Sequence, residues 1–66
     1  MMSSLAEEFP KEQQRVRELL EVYNSIPTGA FGALMLRQAL GRAEQAASSG
    51  DTVAMLRSYE ELKGCQ

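Results

Sequence analysis

The sequence predicts an all-α fold of three helices in one small domain. Apolar residues recur at helical spacing in three stretches, and each stretch is bounded by proline, glycine or a capping residue. The predicted helices span about residues 10–25, 28–48 and 51–63. We expect the second and third to form an antiparallel hairpin, with the first packed across it. Residues 1–66 form one domain, of which residues 1–9 are expected to be flexible or to form a short capping turn.

The first helix is predicted to begin near Pro10, because a proline N–H is not needed in a first helical turn. Upstream, Ser4 and Glu7 have capping-box spacing, which allows a short helical turn before Pro10. The apolar residues of this stretch recur at i, i+3, i+4 and i+7, on one face: Val16, Leu19, Leu20 and Tyr23. The helix ends before Pro27, since a residue that precedes proline is disfavoured in the helical region.

Capping residues and glycines mark the ends of the second and third helices. Thr28 is a plausible N-cap for the second helix, and Gly50 can adopt the left-handed conformation that closes it. Asp51 can cap the third helix, where its carboxylate accepts from free N–H groups. Lys63 in the last turn and Gly64 just beyond it predict the end of that helix.

Composition limits how such a chain is stabilised. A domain of 66 residues has a small core and often relies on a disulfide, a metal or a partner chain. Cys65 is the only cysteine and there is no histidine, so an intrachain disulfide is excluded and neither a metal site nor a cofactor is expected. We therefore expect a homo-oligomer, most simply a dimer. The net charge of −2, without a basic stripe, argues against a nucleic-acid partner.

The start of the second helix is apolar on every side. In residues 37–48 the polar and the apolar side chains lie on opposite faces of the predicted helix. Residues 30–36, by contrast, carry no polar side chain at all. A helix that is apolar all round has to be covered all round. We define the apolar patch as Ile26, Pro27, Ala30, Phe31, Leu34 and Met35. With the neighbouring Arg37 and Arg42, it forms the predicted interaction surface.

Three occupants could cover the apolar patch. They are a second copy of the chain, a foreign protein, or the N-terminal segment with Leu5 and Phe9 folded back. The sequence leaves these alternatives open.

Thr28, Gly29 and Gly32 form a candidate anion-binding helix start. Free N–H groups at a helix N-terminus can bind phosphate, and two glycines within a turn suggest close approach of backbone or ligand. No lysine follows them, as a phosphate-binding P-loop requires, so Arg37 or an arginine from another subunit would have to supply the charge. The alternative is that Gly29 belongs to the turn after Pro27 and that Gly32 is tolerated near the helix end.

Catalytic residues are not expected. Histidine is absent, and the adjacent pairs Glu7–Glu8 and Glu60–Glu61 point in different directions on a helix. Cys65 lies after the last helix, where we expect an exposed thiol with no base beside it.

The sequence therefore predicts a non-enzymatic protein–protein interaction module. The leading hypothesis is a homodimeric inhibitor or adaptor that acts by occupying a surface, and the small size of the chain fits a phage or mobile-element origin. The alternatives are an oligomeric binder of a nucleotide or other anion at the Thr28–Gly32 helix start, and a structural subunit of a larger assembly. No apolar run is long enough for a membrane span, and a lone thiol favours the cytoplasm.

Overall fold

Three α-helices make up the computed structural model, which describes residues 4–66. Helix α1 spans Leu5–Asn24, α2 spans Ala30–Ser49 and α3 spans Thr52–Lys63. The prediction of an all-α, three-helix fold is confirmed. Each helix packs against both of the others, and the two-residue connection between α2 and α3 makes that pair an antiparallel hairpin.

The predicted start of the first helix is wrong, because α1 begins at Leu5 and continues through Pro10. Ser4 is its N-cap and accepts a hydrogen bond from the Glu7 N–H at 3.2 Å. Phe9, only 2% exposed, explains the extra turns, since they bring a large aromatic side chain into the core. Leu5 to Phe9 therefore belong to α1, with Ser4 as its N-cap, and do not form a separate turn; Met1 to Ser3 lie outside the described residues.

The predicted start of the second helix is also displaced. Gly29, not Thr28, is the N-cap of α2, and it offers no side chain to the free N–H groups. The Gly29 N–H donates to the Ile26 carbonyl at 2.9 Å, so residues 26–29 form a turn before the helix can start. This turn after Pro27 shortens the predicted helix by two residues at its beginning.

The remaining boundaries follow the predicted signals. Gly50 has φ 71° and closes α2 in the left-handed conformation. The Asp51 carboxylate accepts from the N–H groups of Val53 at 3.0 Å and Ala54 at 3.2 Å, as expected of an N-cap. Lys63 is the last residue of α3, and Gly64 follows it.

The core is small and rich in alanine. Phe9, Val16 and Leu62 are its largest fully buried side chains, while α2 contributes mostly alanines. The buried residues of α2 are Ala33, Leu36, Ala39, Ala43 and Ala46. Because alanine has little bulk, α1 and α3 can both pack closely against one side of α2. The opposite side of α2 is left to solvent or to a partner.

None of the helices formed by residues 4–66 has the length and apolar character needed to cross a membrane.

Candidate interaction surface

The apolar patch is exposed to solvent. Phe31 is 74% exposed, Leu34 and Met35 are each 47% exposed, and Ile26 is 43% exposed. Pro27 and Ala30 are exposed as well, as are Arg37 and Arg42, so all eight residues of the predicted interaction surface are accessible. A phenylalanine left three-quarters exposed beside three further large apolar side chains is the most unusual feature of this surface.

Val22 is a further exposed apolar residue that the sequence did not single out. It lies near the end of α1, four residues before Ile26, and is 52% exposed. The available signal was a β-branched apolar residue within the otherwise polar outer face of α1, next to Glu21.

Leu5 and Phe9 do not cover the apolar patch. Phe9 belongs to the core cluster and Leu5 packs against that cluster, so neither side chain folds back over Phe31. That alternative is wrong for the residues that the sequence analysis named. A second copy and a foreign protein remain as occupants.

The two flanking arginines make intrachain contacts. Arg37 donates to the Asn24 side-chain oxygen at 3.0 Å, which joins the end of α1 to α2. Arg42 donates to both carboxylate oxygens of Glu61, at 2.5 to 3.1 Å, and so joins α2 to α3. These hydrogen bonds, together with the negative charge of Glu61, raise the pKa of Arg42. Arg42 therefore links the two helices of the hairpin.

Both glycines of the candidate anion site have an intrachain explanation. A Cβ at Gly29 would collide with the Tyr23 carbonyl, and a Cβ at Gly32 would collide with the Tyr23 ring. The close approach inferred from these glycines is therefore to α1. Arg37, which an anion at this helix start would need, is directed to Asn24.

A groove lies next to the apolar patch, between the first half of α2 and the chain that follows α3. Its volume is about 390 Å³. Its floor comes mainly from small and apolar residues: Tyr23, Gly32, Met35, Leu36, Ala39 and Cys65. Arg42, Glu60 and Glu61 contribute a charged border on one side. We call this feature the α2–α3 groove.

Arg15 fixes the chain that forms one side of the α2–α3 groove. Its guanidinium donates to the Leu62 carbonyl at 2.7 Å and to the Cys65 carbonyl at 3.1 Å, while Glu12 accepts from its Nε at 2.7 Å. A cation on the last carbonyls of a helix is favourable, because those groups carry the negative end of the helix dipole. The sequence pattern did not reveal this contact, which joins residues about fifty positions apart.

Cys65 is not the fully exposed thiol that the sequence suggested. It is partly buried against the core cluster, and its Sγ lies 3.5 Å from the Glu61 carbonyl oxygen. Burial is the main cause that raises the pKa of the thiol, and the charge of Glu61 adds to it. A thiol with a raised pKa holds its proton at neutral pH and is a poor nucleophile.

No protein-family model matches this chain, and comparison with curated proteins and with solved structures finds no significant similarity.

Proposed function

We propose that this protein is a non-enzymatic interaction module that works as a homodimer, with the apolar patch as its self-association surface. The observation that carries the proposal is the exposure of Phe31, at 74%, at the centre of a run that contains no charged residue from Ser25 to Leu36. A surface without charges can be removed from water without stripping ions of their hydration. This stretch is therefore well suited to permanent burial.

The area of the patch is consistent with a dimer. From their exposed fractions, the four large residues Ile26, Phe31, Leu34 and Met35 present roughly 450 Å² to solvent, and Pro27 and Ala30 are exposed as well, so the patch lies in the upper part of the range that monomeric proteins expose as one apolar patch. Complete burial of the patch in two copies would remove about 1,000 Å² from water, which is the area expected of a specific interface. The alanine-rich core adds a reason, because a domain this small gains stability from association.

The dimer would act by occupying the surface of another protein, as an inhibitor or an adaptor in the cytoplasm. The polar half of α2, on the side away from the alanine core, would remain accessible in such a dimer. A structural role in a larger assembly uses the same self-association. Within residues 4–66, Arg37 donates to Asn24 and both glycines at the start of α2 pack against α1, so an anion-binding function is not proposed.

The proposal is tested by the dependence of the melting temperature on protein concentration. Dimerisation stabilises the folded state by mass action, so the wild-type melting temperature should rise with concentration. Phe31→Asp should abolish that rise, because an aspartate in the interface would be buried without a partner.

Val53→Asp is a matched control. Phe31 and Val53 are both the second residue of a helix, both are exposed, and an acidic residue is favourable near a helix N-terminus at either position. Val53→Asp should keep the concentration dependence. A wild-type melting temperature that does not change over a hundredfold concentration range would contradict the proposal.

A further inference from the structure

A protruding aromatic side chain and an apolar groove lie side by side on this molecule. Phe31 and Met35 are one helical turn apart on α2, so their side chains lie on neighbouring parts of the same face. Met35 lines the α2–α3 groove, whereas Phe31 does not line it and extends into solvent. The protrusion and the groove are therefore adjacent and face the same side.

A twofold dimer would use such an adjacent pair twice, once in each direction. In a twofold dimer the same patch is used by both subunits, so a residue that enters a partner's site receives the equivalent residue in its own. We infer that two copies associate about a twofold axis with Phe31 of each chain inserted into the α2–α3 groove of the other. This inference rests on the proposed homodimer and specifies its interface.

The groove matches the chemistry and size of a phenylalanine side chain. Leu36, Ala39 and Met35 offer aliphatic contacts, and Gly32 keeps the floor low because it has no side chain. The volume of about 390 Å³ is large enough for one aromatic ring. Methionine in the wall is suited to this role, since its flexible thioether adapts to an incoming ring and makes favourable contacts with it.

Area and charge both favour a second copy over a foreign chain. Complete burial of two apolar patches against each other would remove about 1,000 Å² from water, which is enough for a specific interface without any further partner. The inserted Phe31 lies within the uncharged run from Ser25 to Leu36, so it brings no charge of its own against Arg42, Glu60 and Glu61 at the border of the groove.

Cys65 is a natural reporter for this arrangement because it lines the groove in a partly accessible position. The rate at which iodoacetamide alkylates Cys65 would be measured at one pH, at a protein concentration where the wild type is dimeric by light scattering. Insertion of Phe31 should shield the thiol, so wild type should react at least tenfold more slowly than Phe31→Asp. Val53→Asp should react at the wild-type rate.

A second experiment uses a variant that retains an aromatic side chain at position 31. The chain contains no tryptophan, so Phe31→Trp introduces a single fluorophore. Its emission should shift to shorter wavelength as dimers form with rising concentration, because the indole leaves water for the groove. Val53→Trp provides the control, whose emission should not change.

The outcomes separate this inference from the proposed dimer. A wild type that is dimeric, but whose Cys65 reacts as fast as in Phe31→Asp and whose Phe31→Trp emission does not shift, would overturn the insertion and leave the dimer intact. A wild type that is monomeric at all concentrations would overturn both. A shift of the Phe31→Trp emission only on addition of a foreign protein would also overturn insertion into a second copy.

Discussion

The ring of Tyr23 occupies the space into which a side chain at Gly32 would project. A Cβ built at Gly32 would overlap two ring carbons of Tyr23, and the Tyr23 hydroxyl donates to the Gln66 carbonyl, which holds the ring in place. α1, α2 and the chain after α3 therefore meet at one point. This contact also shapes the α2–α3 groove, since Tyr23, Gly32 and Gln66 all line it.

Substitution of this glycine is expected to destabilise the fold. Gly32→Ala should lower the free energy of unfolding by about 1–2 kcal/mol, because overpacking outweighs the better helix propensity of alanine. Gly41→Ala is the control in the same helix, as a Cβ there meets nothing within 4 Å. It should raise the free energy of unfolding by about 1 kcal/mol. Urea denaturation of both variants at one protein concentration measures the difference, and equal effects would refute the close packing.

Pro10 should be a destabilising residue in α1. It lies in the sixth position of the helix, where a proline removes one hydrogen bond and its ring crowds the Ala6 carbonyl. Pro10→Ala should restore that bond and raise the free energy of unfolding by about 1–3 kcal/mol. Gln14→Ala, one turn further on the exposed face, should change the free energy of unfolding by only a few tenths of a kcal/mol. A destabilised Pro10→Ala variant would mean that α1 does not continue through this position.

Arg15 is expected to stabilise the end of α3. Arg15→Met keeps most of the aliphatic stem but loses the hydrogen bonds to the Leu62 and Cys65 carbonyls, which should cost about 1 kcal/mol at this partly exposed position. Arg17→Met is the comparison, because Arg17 makes no ion pair or side-chain hydrogen bond within residues 4–66. Amide hydrogen exchange should show faster opening of the last turn of α3 in Arg15→Met alone. Protection equal to wild type would argue against this contact.

The thiol of Cys65 makes the stability dependent on pH. Burial raises its pKa in the folded state above the value in the unfolded chain, so the folded protein holds this proton more tightly. The resulting stability is fully present below the ordinary thiol pKa of about 8.5 and is lost as the pH rises through the folded pKa. Wild type should therefore lose more stability than Cys65→Ala between pH 7 and pH 10 in urea titrations. Parallel curves would show that the thiol is solvated.

The sequence predicted those parts of the fold that depend on local signals. Gly50 and Asp51 separate α2 from α3 through backbone conformation and capping, and neither feature requires knowledge of distant residues. The start of α1 was misjudged because the tertiary burial of Phe9 outweighed the local cost of Pro10. The N-cap of α2 was misplaced because the turn to Ile26 extends as far as Gly29.

The candidate surface was predicted only in part, because part of it depends on contacts between residues that are distant in the sequence. The exposure of Phe31 and Leu34 follows from the helical period, because both continue the polar face of α2. The α2–α3 groove could not be predicted, since it depends on where Arg15 holds the chain after α3 and on how Tyr23 meets Gly32. Contacts between distant residues leave no periodic signal in a single sequence.

The central claim, that a second copy covers the apolar patch, is tested most directly by the absolute mass in solution. Light scattering over a concentration series should give twice the mass of the chain for wild type and Val53→Asp, and the mass of one chain for Phe31→Asp. Circular dichroism should show equal helix content in all three proteins. A wild type that keeps the mass of one chain at the highest concentration, or a Phe31→Asp variant that remains a dimer, would contradict the account.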